Sequence, residues 1–208
     1  MKGSLIVVGF FAAGCLLGWW LDLPEILTGG DLTSYVLYLL LFQVGLSIGS
    51  DKTLKQILKS IRPRLLMVPL ATITGTFIFA ALVGLLLSGI SVTDSLAIGS
   101  GFGYYSLSSI LISQLKEPSL GMQVAAELGT IALMTNIMRE ILTLLGAPLM
   151  VKYFGPLAPI CAGGATTMDT TLPIITRYSG KDLVFVSIFH GILVDFSVPF
   201  FVSFFCSL

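Results

Sequence analysis

The sequence predicts an all-α polytopic membrane protein, and three observations carry that prediction. Of 208 residues, 55% are hydrophobic and 11% charged, against roughly 25% charged in a soluble domain. The apolar residues form continuous runs near 20 residues long, the length a helix needs to cross about 30 Å of hydrocarbon, whereas barrel strands would alternate over about 10 residues. Eleven Lys and Arg balance eleven Asp and Glu, so no basic excess is available to hold nucleic acid. With a mean hydropathy of +0.99, too few polar side chains remain to cover the apolar surface, and lipid must be its solvent. A soluble enzyme, a nucleic-acid-binding module and a disordered chain are excluded on the same grounds.

About seven apolar segments follow in order: 4–21, 33–49, 64–87, 93–113, 121–150, 157–176 and 183–206. The first follows Lys2 and resembles a secretory leader, but no small-residue cleavage site ends it, so it is expected as a retained helix. The second and third are plain spans. Between them Lys52, Lys55, Lys59, Arg62 and Arg64, spaced mostly three to four apart, suit one face of an interfacial helix on the cytoplasmic side. With that stretch inside, Lys2, Lys116, Arg177 and Lys181 also fall inside, which accounts for nine of the eleven basic residues. Lys152 falls outside, the N-terminus is cytoplasmic and the C-terminus external. Connections are short and marked by turn residues such as Leu23-Pro24-Glu25, so residues 1–208 form a single transmembrane domain. Cys15, Cys161 and Cys206 lie within apolar runs without paired spacing and provide neither disulfide framework nor metal site; no cofactor is implied.

The fourth and sixth segments are expected as discontinuous spans. The fourth contains Gly99-Ser100-Gly101-Phe102-Gly103-Tyr104-Tyr105-Ser106-Leu107-Ser108-Ser109, poor helix propagators at mid-span. The sixth contains Gly163-Gly164-Ala165-Thr166-Thr167-Met168-Asp169-Thr170-Thr171-Leu172-Pro173. Unwound backbone survives at membrane depth only beside protein or a water-filled cavity, and Gly/Pro-interrupted spans in a transporter point to its substrate site. Tight helix packing would account equally well for the glycines of the fourth segment, but not for Asp169 and four threonines in the sixth.

Ionisable residues inside spans form the second signal, because an acid at the bilayer centre usually faces a cavity or a partner. The fifth segment holds Glu127, Asn136, Arg139 and Glu140. At about 100° per residue Asn136, Glu140 and Thr143 share a face, with Arg139 to one side and Glu127 about 20 Å away along the axis. The seventh holds His190, read as a packing or hydrogen-bonding residue, and Asp195 near mid-span. Candidate substrate- and ion-binding residues are therefore Glu140, Asp169, Arg139, Asn136, Tyr104, Tyr105, Ser106, Ser108, Thr166, Thr167, Thr170 and Asp195. Gly101, Gly103, Gly163, Gly164 and Pro173 are the expected backbone breaks. Glu140 and Asp169 are expected to look into one shared, wettable chamber.

The run Gly101-Phe102-Gly103-Tyr104-Tyr105-Ser106-Leu107-Ser108, the pair Arg139-Glu140, the run from Gly164 to Pro173, His190-Gly191 and Leu39-Leu40-Leu41-Phe42-Gln43-Val44-Gly45 together resemble the LysO-type lysine exporter family over nearly the whole chain. The resemblance implies a bacterial inner-membrane protein that exports L-lysine and analogues such as thialysine, in exchange for protons, through membrane-embedded acids. Glu140 falls on the family's Arg-Glu pair and Asp169 on its Met-Asp motif; Glu127 and Asp195 fall on neither. By analogy the resemblance also implies an antiporter-like fold of inverted repeats with crossed broken helices. Family members carry about three further N-terminal spans, so a small membrane subunit, or a second copy of this chain, is expected as partner.

The expected function is thus secondary transport rather than enzymatic. A passive channel and a non-transporting assembly subunit are the alternatives. An intramembrane serine protease is disfavoured because Ser100 follows Ile98-Gly99 and lacks the Gly-x-Ser-Gly spacing.

Overall fold

In the computed structural model, residues 63–208 are described without interruption, together with scattered positions between 13 and 46. The chain divides into two compact units, Met1–Val44 and Gly45–Leu208. In the first, Ala13, Gly14, residues 16–20, Tyr35, Leu39 and Phe42 are helical. Most of the first two expected spans, and the basic stretch 51–62, lie outside the described residues. Everything that follows concerns the second unit.

Among the described residues every regular element is helical, and three helices are long and apolar enough to cross a membrane: Leu65–Leu86, Met122–Phe154 and Lys181–Cys206. Helix α1 (Pro63–Leu86) opens on proline, whose missing N–H costs nothing at the first helical position. Helix α2 (Val92–Gly99) starts at Ser91, whose hydroxyl accepts the Asp94 N–H at 3.0 Å. It stops where Gly99, Gly101 and Gly103 crowd together, and the chain resumes as α3 (Tyr105–Leu120). Helix α4 (Met122–Phe154) runs back alongside α3, with Gly129 against Ser109 and Ser113 so closely that a Cβ would collide. Then come α5 (Ala158–Gly163), a 3-10 turn (Gly164–Met168), α6 (Leu172–Ser179), a short 3-10 turn (Lys181–Leu183) and α7 (Val184–Cys206).

Both expected discontinuous segments are interrupted, but neither crosses. The Lys116 ammonium lies 2.8 Å from the Asp94 carboxylate; on one continuous helix those residues would be about 33 Å apart. The α2–α3 segment is therefore a hairpin that returns to the side it entered. The same holds for α5–α6, by connectivity. Helix α4 leaves that first side and α7 returns to it, since Cys206 at its end lies within electrostatic range of Asp94 and Lys116. The whole of 155–183 thus begins and ends on the opposite side. This corrects the reading of 93–113 and 157–176 as spans. A hydropathy run reports that a segment enters lipid, not that it leaves by the other face. Seven alternating spans would run segments four and six in one direction; the two hairpins instead enter from opposite sides.

The hairpin tips are buried between α1, α4 and α7. Phe102, Phe77 of α1, and Phe201 and Phe205 of α7 form one aromatic cluster, with Phe77 and Phe201 5.0 Å apart and edge to face. Phe189 and Ile192 pack with Leu65 and Met168. Between these apolar layers lies a polar one: Ser108, Asn136, Glu140, Thr143, Thr167, Ser187 and His190 are all buried. Burying so many hydrogen-bonding groups in a membrane protein demands internal partners, and those partners define the site.

Candidate functional site

The two tips touch backbone to backbone. The Ala165 N–H donates to the Phe102 carbonyl at 2.8 Å. Gly164, at φ +62°, lies so close to that carbonyl that a Cβ would overlap it. Phe102 itself has φ +44°, a conformation uncommon for a bulky residue and held only where the surroundings enforce it.

One turn of α4 holds both breaks. The Asn136 Oδ1 accepts the Gly103 N–H at 2.7 Å, while its amide nitrogen donates to Ala132 at 2.9 Å and to the Ile98 carbonyl at 3.3 Å. Arg139 donates from Nε to the Ala162 carbonyl at 2.8 Å, from Nη2 to the Cys161 carbonyl at 3.1 Å and from Nη1 to Thr76 at 3.4 Å. Its guanidinium also lies 5.9 Å from the centre of the Phe102 ring. Carbonyls at the C-terminal ends of α2 and α5 are thereby engaged from α4, the Ile98 carbonyl accepting from the Gly101 N–H at 3.2 Å as well. The N-termini of α3 and α6 have no side-chain cap and turn positive partial charge toward the tips; at α6 the Leu172 N–H donates to the Asp169 carbonyl at 3.3 Å and Pro173 has no N–H to offer.

The acids gather around those N-termini. Glu140 is 1% and Asp195 6% exposed, whereas Asp169 is exposed and accepts the Thr170 N–H at 2.5 Å. Asp169 lies within electrostatic range of both Glu140 and Asp195, and Tyr104 within range of Asp169 and Asp195. A carboxyl group of the second hairpin thus interacts electrostatically with one of α4 and one of α7, and the outer two lie 55 residues apart in the chain. Among the described residues no group of three or more His, Cys, Asp or Glu could hold a metal ion.

The candidate hydroxyls divide into two groups. Ser108, Thr166 and Thr167 are buried and turned onto backbone: Ser108 donates to the Tyr104 carbonyl at 2.8 Å, Thr166 to Gly163 at 2.8 Å and Thr167 to Gly164 at 2.8 Å. They shape the breaks instead of facing a chamber. Tyr104, Tyr105, Ser106 and Thr170 are half-buried at the rim. Pro173 does not make the break; it stands at the start of α6, where proline favours a helix, and the interruption is made by the turn before it. Gly101 is required because the Asn136 amide occupies the space a Cβ would take, and Gly163 packs against Thr167 and Thr171.

His190 is completely buried and bridges α1 to the second hairpin, with Nε2 2.9 Å from Thr72 and Nδ1 3.2 Å from Thr167. Thr72 and Thr76 escaped the sequence reading because α1 otherwise looks like a plain span; their spacing of four on one helix face was the available signal. Glu127 is exposed near the start of α4 and accepts from Gln123 at 3.3 Å, away from the tips. A cleft of about 920 Å³ between α1, α2, α4 and α5 has Arg139 and Asn136 on its lining, but its walls are apolar and none of the three acids borders it. Of the charged candidates only Arg139 lines this cleft, and the three acids lie outside it.

A family model described as "Lysine exporter LysO" matches residues 8–206. The chain is 32% identical over 177 residues to "Lysine exporter LysO" of Escherichia coli (strain K12), covering 84% of this chain and 55% of that relative. It is 33% identical over 199 residues to "Putative lysine exporter" of Haemophilus influenzae (strain ATCC 51907 / DSM 11121 / KW20 / Rd), covering 93% of each. The chain thus spans about half the length of the Escherichia coli relative. No solved structure matches.

Proposed function

The chain belongs to the lysine exporter LysO family, and from that membership we propose that it is a secondary transporter exporting L-lysine and close cationic analogues such as thialysine. The observation that carries this reading is the meeting of two uncapped helix N-termini with three carboxyl groups at the hairpin tips. Lysine presents one carboxylate and two ammonium groups. The carboxylate suits the N-termini of α3 and α6, and the ammonium groups suit Asp169 and Glu140. Tyr104, Tyr105, Ser106 and Thr170 supply oriented polar contacts at the rim.

Export of a cation is balanced by proton entry if one carboxylate alternates between the two. Glu140 takes that role, with Asp195 as a buried neighbour through Asp169. Placing the start of α1 in the cytoplasm puts Arg64, Lys152, Arg177 and Lys181 on one side of the inner membrane, with Lys116 opposite. The C-terminus is then external, as the sequence reading expects, while Lys152 and Lys116 exchange sides because the hairpins do not cross.

Reconstitution tests the reading. Vesicles containing the protein should accumulate labelled lysine by counterflow, saturably, and a pH gradient should drive net flux. Glu140→Gln should abolish pH-driven flux while the protein remains folded. Non-saturating flux indifferent to pH would indicate a pore, and wild-type flux by Glu140→Gln would remove Glu140 from the mechanism.

A further inference from the structure

Asn136 and Arg139 carry the polar chemistry expected of substrate ligands, yet the hydrogen bonds they make go chiefly to backbone and to Thr76. Two of the five guanidinium N–H donors face the half-buried cleft side. An Asn side chain offers one acceptor oxygen and two N–H donors. Asn136 spends them on Gly103, Ala132 and Ile98 and is 2% exposed. Arg139 uses three nitrogens on Ala162, Cys161 and Thr76 and covers the Phe102 ring. Its Nε and Nη2 reach two consecutive carbonyls of the last turn of α5, a fork that an ammonium cannot reproduce, and its charge opposes the negative end of that helix.

We infer that Asn136 and Arg139 are positioning residues: from one turn of α4, Asn136 locks the first hairpin and Arg139 the second, fixing the two tips against each other. The Phe102–Ala165 hydrogen bond closes the triangle. Three residues apart, the two clamps are about 4.5 Å apart along the axis and on neighbouring faces, which matches a contact between two crossing tips. Glu140, the next residue, is thereby held at a set distance from both uncapped N-termini. Substrate orientation in this scheme comes from the hairpin ends, and the guanidinium acts on it only through the backbone it caps. The inference rests on the tips being the transport site, so its test has an arm that does not.

That arm is hydrogen–deuterium exchange of the full chain in lipid nanodiscs. Asn136→Ala should speed exchange around 101–105 and Arg139→Ala around 163–168, with Arg139→Lys failing to restore protection. Unchanged protection at both tips would overturn the clamp whether or not lysine is transported. The second arm compares lysine with 1,5-diaminopentane, which is lysine without its carboxylate, as competitors in counterflow. Arg139→Lys and Asn136→Asp should lower the maximal rate about tenfold or more while leaving the lysine KM within about twofold and the preference for lysine over the diamine intact. If Arg139 instead binds the carboxylate, Arg139→Lys will raise the lysine KM about tenfold with the diamine unaffected, and the inference fails. Lack of lysine transport by the unmodified protein would sink the proposed function, and exchange would still decide the clamp.

Discussion

At the scale of single residues, the tips are governed by contact distances that leave no room for a methyl group. Gly164 lies against the Phe102 carbonyl at positive φ, so Gly164→Ala must both strain the backbone and separate the hairpins. Strain of this kind costs about 1–3 kcal/mol per residue, and the lost tip hydrogen bond adds about 1 kcal/mol. Thermal unfolding of the purified variant in detergent should show a clearly lowered midpoint; an unchanged midpoint would mean that the tips do not touch. Asp195 is buried among apolar residues of α7, and Asp195→Asn keeps its shape. That variant should fold normally and transport lysine more slowly, with an altered dependence of rate on pH. A wild-type pH profile would remove Asp195 from proton handling.

At the scale of elements, the decisive unit is the hairpin. The Asp94–Lys116 pair closes the open end of the first one, with Lys116 buried. Asp94 is half-buried and also accepts from Ser91, so removing Lys116 strands its charge only in part and costs about 1–3 kcal/mol, whereas replacing both by apolar residues is often neutral. Lys116→Met should therefore destabilise, and Asp94→Leu combined with Lys116→Met should recover most of the loss in the same melting experiment. Equal destabilisation of both would show that the pair carries no stranded-charge penalty. Cysteines placed at 94 and 116 are too far apart for a direct disulfide, which needs Cα atoms within about 7 Å, but a bifunctional thiol reagent with a reach of about 10 Å should link them. A crossing helix would hold them about 33 Å apart and no link could form. Each hairpin also leaves through a glycine in an extended, positive-φ conformation, Gly121 at φ +81°, ψ 159° and Gly180 at φ +101°, ψ 156°. That region is essentially closed to other residues, so these glycines fix where each hairpin ends and the next long helix begins.

At the scale of the molecule, hairpins entering from opposite sides change the topology. Reading every apolar run as a span places Ser119 and Lys181 on the same side. With the first and second hairpins returning, those exposed positions lie on opposite sides. Single cysteines at 119 and 181 in oriented membrane vesicles should react with an impermeant thiol reagent from opposite faces. Labelling from one face would reject the hairpin topology outright.

Much was legible before any coordinates. Composition and run length required a helical membrane protein, because backbone polar groups in lipid must be satisfied within the segment or within a closed barrel. The two polar interruptions and the intramembrane acids stood out for the same reason: each is costly in hydrocarbon, so the residues near 101–108 and 163–173 announce a site by themselves. Local chemistry could not supply direction or partnership. Hydropathy is the same for a segment that crosses and one that returns, and the meeting of Asp94 with Lys116, with Cys206 beside them, tells them apart. An arginine beside a glutamate carries the same charge whether it grips a substrate or caps a helix. Three carbonyl and hydroxyl oxygens from α1 and α5 decide that for Arg139, and they come from residues more than twenty positions away, brought within reach only when the chain has packed.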